Sequence, residues 1–201
     1  MAVSTSSSGL GASIAVALLL VGCGDSTAVG GSPSGGAGPV GGSGGGGGAA
    51  PALVINEIQP HDDEWLEIAN GSDSEIDIGG FGICDEDAAG ACEVASAMRF
   101  PAGTSIPPGG YIVILTDQAD GDPGPHDVCI PGVTSCFYAG WKISAGDGEL
   151  LRVIDTDDAV VAALLYPAGA TSDAINTLSR LPDITGPAAV GAPTPGAPNT
   201  P

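Results

Sequence analysis

Basic side chains are scarce in this sequence. Its 201 residues include only 4 lysines and arginines against 24 aspartates and glutamates, which gives a net charge of −20 at pH 7. The four cations, Arg99, Lys142, Arg152 and Arg180, are scattered along the chain rather than clustered. Because nucleic-acid binding rests on clustered cations that neutralise phosphates, the composition argues against a nucleic-acid partner. An anionic membrane surface would also repel the folded part of such a chain.

Aromatic residues and catalytic signatures are scarce as well. Phenylalanine, tryptophan and tyrosine together make up 4% of the sequence. From residue 52 onward the chain contains no GxSxG, no HExxH and no Cys–His nucleophile pattern, and the GxSxG spacing at 41–45 lies within a run of glycines. His61 in HDDE and His126 in GPHDV each neighbour a carboxylate, as acid–base chemistry requires, but both fall in predicted loops. We therefore predict that the chain is not an enzyme, and we assign no catalytic residue.

The segment 1–22 has no charged side chain and leads into a cysteine. The apolar stretch Ser13–Val21 is short for a membrane-spanning helix and has the length of the apolar core of a signal peptide. Residues 20–23, at the end of this stretch, read Leu-Val-Gly-Cys and resemble the lipobox of bacterial lipoproteins. This resemblance implies a lipid on Cys23, although the region before the apolar core lacks the usual lysine or arginine. The alternative is an ordinary signal peptide followed by an unrelated cysteine.

The segment 23–51 is dominated by glycine, serine and proline. Thirteen of the 25 residues from Gly24 to Gly48 are glycine. Such a segment buries too little apolar area to offset the entropy lost on ordering it. We predict a flexible tether with a root-mean-square span of about 25–30 Å, which lifts a domain clear of a lipid headgroup layer. The predicted organisation is a signal peptide at 1–22, a tether at 23–51 and one domain at 52–201.

From Leu53 onward, short apolar runs alternate with turn residues. These runs predict antiparallel strands, because they are rich in Ile, Val, Leu and Tyr and are separated by Gly, Pro, Asn and Asp. AVVAALLY, the last run, also has residues that favour a helix. Seven or more short strands predict an all-β sandwich or barrel with one core. The runs are Leu53–Ile58, Trp65–Ile68, Phe81–Cys84, Tyr111–Thr116, Trp141–Ser144, Leu150–Ile154 and Ala159–Tyr166.

Alternation along the second run assigns its side chains to two faces. Leu66 and Ile68 are expected to face the core, and Trp65 and Glu67 the outer side of the sheet. An exposed Trp65 would be a candidate contact with a ligand, although packing beneath a loop is the favoured interpretation. The following Asn70-Gly71 predicts a hairpin turn, in which this pair tolerates positive φ.

Several motifs of this region, taken in order, resemble the lamin-tail domain family. They are VINEIQPHDDEWLEIANGSDSEIDIGGFGICD, MRFPAGTSIPPGGYIVILTD, GELLRVID, TLSRLPD and TPGAPN, and together they extend over nearly all of 52–200. The resemblance implies an immunoglobulin-like β-sandwich. It also implies an extracellular accessory module of the kind found beside secreted hydrolases or nucleases, with no catalytic residues to transfer to this chain.

Four cysteines remain if Cys23 carries a lipid: Cys84, Cys92, Cys129 and Cys136. An even number outside the cytoplasm indicates two disulfides. The favoured pairs are Cys84–Cys92 and Cys129–Cys136, because each brackets one loop inserted beyond the family's pattern. The alternative links the two loops, for example through Cys84–Cys136 and Cys92–Cys129. A zinc site is disfavoured, because spacings of eight and seven do not match its close-spaced pairs.

Two acidic clusters are candidates for cation binding. Asp117, Asp120 and Asp122 resemble part of a calcium loop, but the EF-hand spacing and its terminal glutamate are absent. The second cluster is Asp155, Asp157 and Asp158. Solvated turns are the favoured interpretation of both, with weak calcium binding as the alternative. No other cofactor is predicted.

These observations predict a lipid-anchored, extracytoplasmic, non-enzymatic module of the bacterial cell envelope, at the outer membrane or cell surface rather than the inner membrane. Its expected partners are the membrane, through the anchor, and an unidentified protein or glycan. The alternative function is an accessory subunit of a secreted phosphoesterase or nuclease, which rests on analogy with the family alone.

Overall fold

A computed structural model describes residues 52–118 and 124–200 of the chain. The predicted signal peptide, the tether, Cys23 and the calcium candidates Asp120 and Asp122 lie outside the described residues. Within those residues, no helix combines the length and the apolar character that crossing a bilayer requires.

The described residues form twelve β-strands and one 3₁₀ helix, and none of them lies in an α-helix. The strands are β1 (Leu53–Gln59), β2 (Trp65–Asn70), β3 (Ile76–Asp77), β4 (Gly82–Cys84), β5 (Met98–Arg99), β6 (Ser105–Ile106), β7 (Tyr111–Leu115), β8 (Phe137–Tyr138), β9 (Glu149–Ile154), β10 (Val160–Tyr166), β11 (Thr177–Arg180) and β12 (Ala188–Gly191). The 3₁₀ helix spans Val94–Ser96.

The strands assemble into two main sheets and one short pair. The larger sheet has six strands in the order β12-β11-β1-β2-β7-β8, and the smaller has four in the order β10-β9-β4-β5. β3 pairs with β6 separately. All the pairings are antiparallel except that between β7 and β8. This nearly all-β architecture is the immunoglobulin-like sandwich that the sequence predicts.

One large apolar core contains side chains from both main sheets. Leu66 and Ile68 of β2 and Ile114 of β7 contribute from the six-stranded sheet. Leu151 and Val153 of β9 contribute from the four-stranded sheet. Their spacing of two residues is what alternation along a strand predicts. Full burial of one such side chain contributes about 1.5–3 kcal/mol to stability, so this core is the main source of the fold's free energy.

The predicted strand at Trp141–Ser144 is wrong. Trp141 and Ile143 are buried in the main core, so the run is apolar for the expected reason. Its backbone, however, pairs with loops and side chains rather than with a strand. The Asp117 amide donates to the Trp141 carbonyl at 2.7 Å, and the Ile143 amide donates to Glu64 Oε2 at 3.0 Å. A carboxylate thus replaces a neighbouring strand as the acceptor.

The run Ala159–Tyr166 forms a strand and not the helix that its alanines and leucines also favour. As β10, it pairs antiparallel with β9, with Leu164 opposite Leu151 and Tyr166 opposite Glu149. Leu164 and Tyr166 are buried in the core. Tertiary packing therefore overrides the local propensity of this segment.

The hairpin turn expected at Asn70-Gly71 is also wrong, since neither residue has a positive φ. β2 pairs with β1 and β7, so the strand that follows Asn70 in the sequence is not its partner. The buried Asn70 side chain instead organises a longer connection. Its Nδ2 donates to the carbonyls of Ser74 and Ile106, and its Oδ1 accepts from the Ser72 amide at 2.8 Å.

Candidate functional site

A β-bulge in β1 sends two adjacent polar side chains to the outer side of the six-stranded sheet. The bulge lies between Ile55 and Glu57 and adds one residue to the strand. Ile55 and Ile58 consequently both lie in the core, although three positions separate them. The side chains of Asn56 and Glu57, which lie between these two isoleucines, therefore face the outer side of the sheet. Glu57 lies directly across from Glu67 of β2, and both carboxyl groups are fully buried.

Asn56 connects the sheet to the turn after β11. Its Nδ2 donates to Glu67 Oε1 at 2.9 Å and to Asp183 Oδ1 at 3.0 Å. Its Oδ1 accepts from the Ile184 amide at 3.0 Å. Both hydrogens of the amide and its oxygen are therefore used in one buried position. We call Asn56, Glu57, Glu67 and Asp183 the C-terminal clamp, because the chain's last described residues bind to them.

The C-terminal clamp holds the motif TPGAPN against the sheet. Thr194 donates through its amide to Glu57 Oε1 at 3.1 Å, and its hydroxyl lies 3.1 Å from Glu57 Oε2. The Gly196 amide donates to Glu67 Oε2 at 2.6 Å. The Asn199 amide donates to the Asp183 carboxylate at 3.0 Å. Three buried or half-buried carboxylates thus satisfy backbone donors of a segment that has no strand partner of its own.

Burial changes the protonation of the clamp. Removal from water raises the pKa of Glu67 to about 8, and the nearby Glu57 and Asp183 charges add to this effect. The hydrogen bonds from Asn56 and Gly196 oppose it in part. The pKa of Glu57 is also raised by burial, against hydrogen bonds from Thr177 and Thr194. Because these carboxyl groups are enclosed, their role in the structure is to support the C-terminal segment.

A groove of about 380 Å³ lies beside this segment. Pro193 and Pro195, on either side of the clamped Thr194, line it, and so do Trp65, Ile130 and Asp63. The clamp therefore fixes part of the groove's lining through hydrogen bonds to Thr194. The full lining is Gln59, His61, Asp62, Asp63, Trp65, Ile130, Pro131, Ala174, Pro193 and Pro195.

Trp65 lies at the base of a second, smaller apolar cluster on the outer side of the sheet. It packs with Val113, Leu115, Ile130 and Cys136 and is only 4% exposed. Packing beneath a loop, the favoured interpretation, is confirmed, and an exposed Trp65 is ruled out. Glu67 lies on the outer side as alternation predicts, but the C-terminal segment covers it.

The rim of the groove is acidic and its side walls are hydrogen-bonded. Asp62 and Asp63 are exposed, and none of the lining residues is lysine or arginine. Gln59 Nε2 donates to the Ala174 carbonyl at 3.0 Å, which joins two residues of the groove's lining. His61 Nε2 lies 3.2 Å from the Thr171 carbonyl oxygen. A ligand with a positive charge and an apolar portion matches this lining best.

The other candidate residues are spread over the surface. His126 stacks on Tyr138 with ring centroids 3.7 Å apart, far from His61 in the sequence. Asp117 forms an ion pair with Lys142 at 2.7 Å. Among the described residues, no three His, Cys, Asp or Glu side chains are placed to hold a metal ion.

The second acidic cluster builds a tight turn between β9 and β10. Asp155 Oδ1 accepts from the amides of Asp157 and Ala159, both at 2.9 Å. Asp158 pairs with Arg99 of β5. These contacts use the carboxylates as local hydrogen-bond acceptors, which is how aspartate stabilises turns.

The cysteines pair locally, as the sequence analysis favoured. Cys84–Cys92 has its Cα atoms 5.6 Å apart, and Cys129–Cys136 has them 6.0 Å apart. The first bridge lies at the end of β4. The second closes the loop that covers Trp65, where the His126 amide also donates to the Cys136 carbonyl at 2.8 Å.

Peptide mapping without reduction should recover these two local bridges from the native protein. Reduction should lower the free energy of unfolding by about 2–3 kcal/mol for each bridge, because closing loops of this length restricts the unfolded chain. Four free thiols, or bridges between the two loops, would contradict the pairing.

The amino-acid sequence gives no direct signal for the groove. Its walls come from Gln59, from Ile130 and from Pro193, which only the fold brings together. The clamp had a signal of another kind, because its side chains lie within the motifs VINEI, EWLEI and SRLPD, and the segment that it holds is the motif TPGAPN. The hydrogen bonds that join these four motifs give them a shared structural role.

The comparison with known families supports the resemblance over most of the domain but not over its last part, so Asp183 and the motif TPGAPN lie beyond the matched residues. The sequence matches the model of the Lamin Tail Domain over residues 48–178, which is more than half of the chain. Among curated proteins, no relative matches the chain at a significant level.

Proposed function

The chain belongs to the lamin tail domain family, and from this premise we propose that it is a lipid-anchored binding module of the bacterial cell envelope, exposed outside the cytoplasm. Domains of this family are immunoglobulin-like structural modules rather than catalytic ones. The absence of GxSxG, HExxH and Cys–His patterns from residues 52–201 supports a non-enzymatic role. In this proposal the domain at 52–201 contacts a protein or glycan, and the tether at 23–51 separates it from the membrane.

The groove carries the binding part of the proposal. Its lining combines the Trp65 and Ile130 cluster, two prolines of the C-terminal segment and the exposed carboxylates of Asp62 and Asp63. The walls are held by the clamp and by the Gln59 hydrogen bonds, so little conformational entropy is lost when a ligand binds. Apolar surface with a few fixed polar groups is typical of ligand sites.

The anchor rests on different observations. Cys23 follows an apolar stretch in a lipobox-like sequence, which motivates lipidation and export. The two disulfides support export independently, because such bridges persist outside the cytoplasm. Two observations from separate parts of the chain therefore point to the same compartment.

Replacing Cys23 with serine should move the protein from the membrane fraction to the soluble fraction. An acyl chain needs this thiol, and the strongly acidic chain has no basic patch to hold it on anionic lipid. Fractionation and metabolic labelling with a palmitate analogue measure the two effects. Membrane retention of the serine variant, or a wild type that takes up no label, would refute the anchor.

The groove is tested by filling it. Ala174→Trp should reduce capture of the ligand from envelope extract at least about tenfold, because the indole occupies space between the groove walls. Ala168→Trp, at an exposed position outside the lining, is the matched control and should capture as the wild type does. Equal capture by both variants would place binding elsewhere. Recovery of a phosphoesterase or nuclease would identify the partner as an enzyme that this module serves.

A further inference from the structure

Strand β10 is an edge strand that carries no charge and no proline, and its one irregularity is a register shift against β9 at Val161. It ends the four-stranded sheet, and no strand of the described segments pairs with its outer side. Its sequence, VVAALLY, contains neither charge nor proline. Val160, Val161 and Leu165 are 53%, 43% and 57% exposed.

The other sheet edges differ from β10 in length. β12 has four residues, and β8 and β5 have two each, whereas β10 has seven. Natural proteins protect their edge strands by keeping them short or by placing charges or proline on them. An uncharged β-forming segment of six or seven residues is the kind that pairs with another chain. In a chain with 24 acidic residues, an uncharged exposed edge strand is unusual, and it indicates that another strand pairs with β10.

We propose that β10 pairs antiparallel with β10 of a second copy of this chain, about a two-fold axis at Ala163, and so joins two four-stranded sheets into one. This surface belongs to the smaller sheet and is separate from the groove. The dimer therefore presents two grooves and goes beyond the function proposed above.

The distribution of charge favours this occupant and this orientation. Asp155, Asp157 and Asp158 precede β10, whereas the residues after it, Pro167–Ala170, are uncharged. Antiparallel pairing places the two acidic turns at opposite ends of the paired strands, more than about 20 Å apart, because seven strand residues lie between them. That separation exceeds the Debye length of about 8 Å at physiological salt. Parallel pairing would bring the same clusters side by side.

The side chains of β10 also complement themselves in this register. An axis at Ala163 places a small side chain where the two copies approach most closely. It brings Leu165 opposite Val161 of the second copy, twice in each dimer. Both are exposed in the single chain, and apolar cross-strand pairs stabilise such contacts.

The test measures the association of the full chain carrying Cys23→Ser, so that no acyl chain contributes. Sedimentation velocity should show a concentration-dependent dimer. Leu165→Glu and Val161→Lys should each raise its dissociation constant at least about tenfold, because each places an unpaired charge in the strand pair. Ile175→Glu, at an aliphatic side chain that is 75% exposed outside β10, is the matched control and should dimerise normally.

The double variant Leu165→Glu with Val161→Lys tests the register. Each glutamate then faces a lysine of the other copy, so dimerisation should recover at least about tenfold from the single variants. Thermal melting checks that every variant is folded. A monomeric wild type, a dimer unaffected by the single variants, or no recovery in the folded double variant would each overturn the proposal. So would capture of a different protein's strand by a monomeric chain.

Discussion

Raising the pH from 5 to 8 should lower the free energy of unfolding of this domain by about 3 kcal/mol through Glu67 alone. Burial raises the pKa of this carboxyl group to about 8, from 4.5 in the unfolded chain. The folded state therefore holds the proton more tightly than the unfolded state does. The contribution of protonated Glu67 to the free energy of unfolding is complete below pH 4.5 and is lost as the pH rises through about 8. Urea unfolding at pH 5, 6.5 and 8 measures the slope.

Glu149 adds to the same slope. Its pKa is also raised to about 8, first by burial and then by the neighbouring carboxyl groups of Asp85 and Glu86. Glu149 Oε2 accepts from the Ser144 amide at 2.6 Å, while Oε1 has no partner. Ionisation of this carboxyl group would place a charge beside a buried oxygen that has no donor, which costs stability at high pH.

Two controls separate these buried groups from the general repulsion of an acidic chain. Added salt screens repulsion between exposed charges but has little effect on enclosed carboxyl groups, so most of the slope should persist at high salt. Glu67→Gln removes one titrating group and should reduce the dependence of stability on pH. The new side-chain amide faces the Gly196 N–H donor, so the variant should also be less stable at every pH. Stability that rises between pH 5 and 8 would contradict the assignment.

The apolar runs of the sequence predict the central strands because these strands bury aliphatic side chains. β1, β2, β4, β7, β9 and β10 all correspond to such runs. The two-residue strands β3, β5, β6 and β8 are too short to show a period. The apolar pattern does not predict β11, because its buried positions include Thr177 and Ser179. Their hydroxyl groups donate to Glu57 rather than packing in an apolar core.

Along a regular strand such as β2, alternation predicts which side of the sheet a residue takes, but not what covers that side. Alternation places Glu67 on the outer side of β2, where a glutamate is usually solvated. Its cover is Gly196, which is 129 residues away in the chain, and no local pattern reports such a contact. The disulfides were predictable because their partners are eight and seven residues apart. The groove was not, because its walls come from distant segments.

Replacing Asn56 with alanine should destabilise the domain by about 3 kcal/mol or more. The substitution removes the donor to Glu67 Oε1 and to Asp183 Oδ1, and the acceptor of the Ile184 amide. Each buried polar group left without a partner costs about 1–3 kcal/mol. Chemical unfolding at pH 6 measures the loss.

Asn176→Ala is the matched control for this change. Asn176 is half-buried, and its side-chain amide donates one hydrogen bond, to Asp173 Oδ1 at 2.9 Å. Its loss should cost less than about 1.5 kcal/mol, the net value of a hydrogen bond between partly solvated groups. The same deletion of an asparagine side chain thus has a large effect only where it opens the clamp.

The Asn56→Ala protein also distinguishes a clamp from a merely stable core. If Asn56 aligns Glu67 and Asp183 with the C-terminal segment, its loss should free Thr194–Asn199 before the sandwich unfolds, and proteases should remove this segment first. The groove would then lose the wall formed by Pro193 and Pro195, so ligand capture should fall at temperatures where the core is intact. A variant that loses stability but keeps both the protected segment and full capture would show that Asn56 supports the sheet alone.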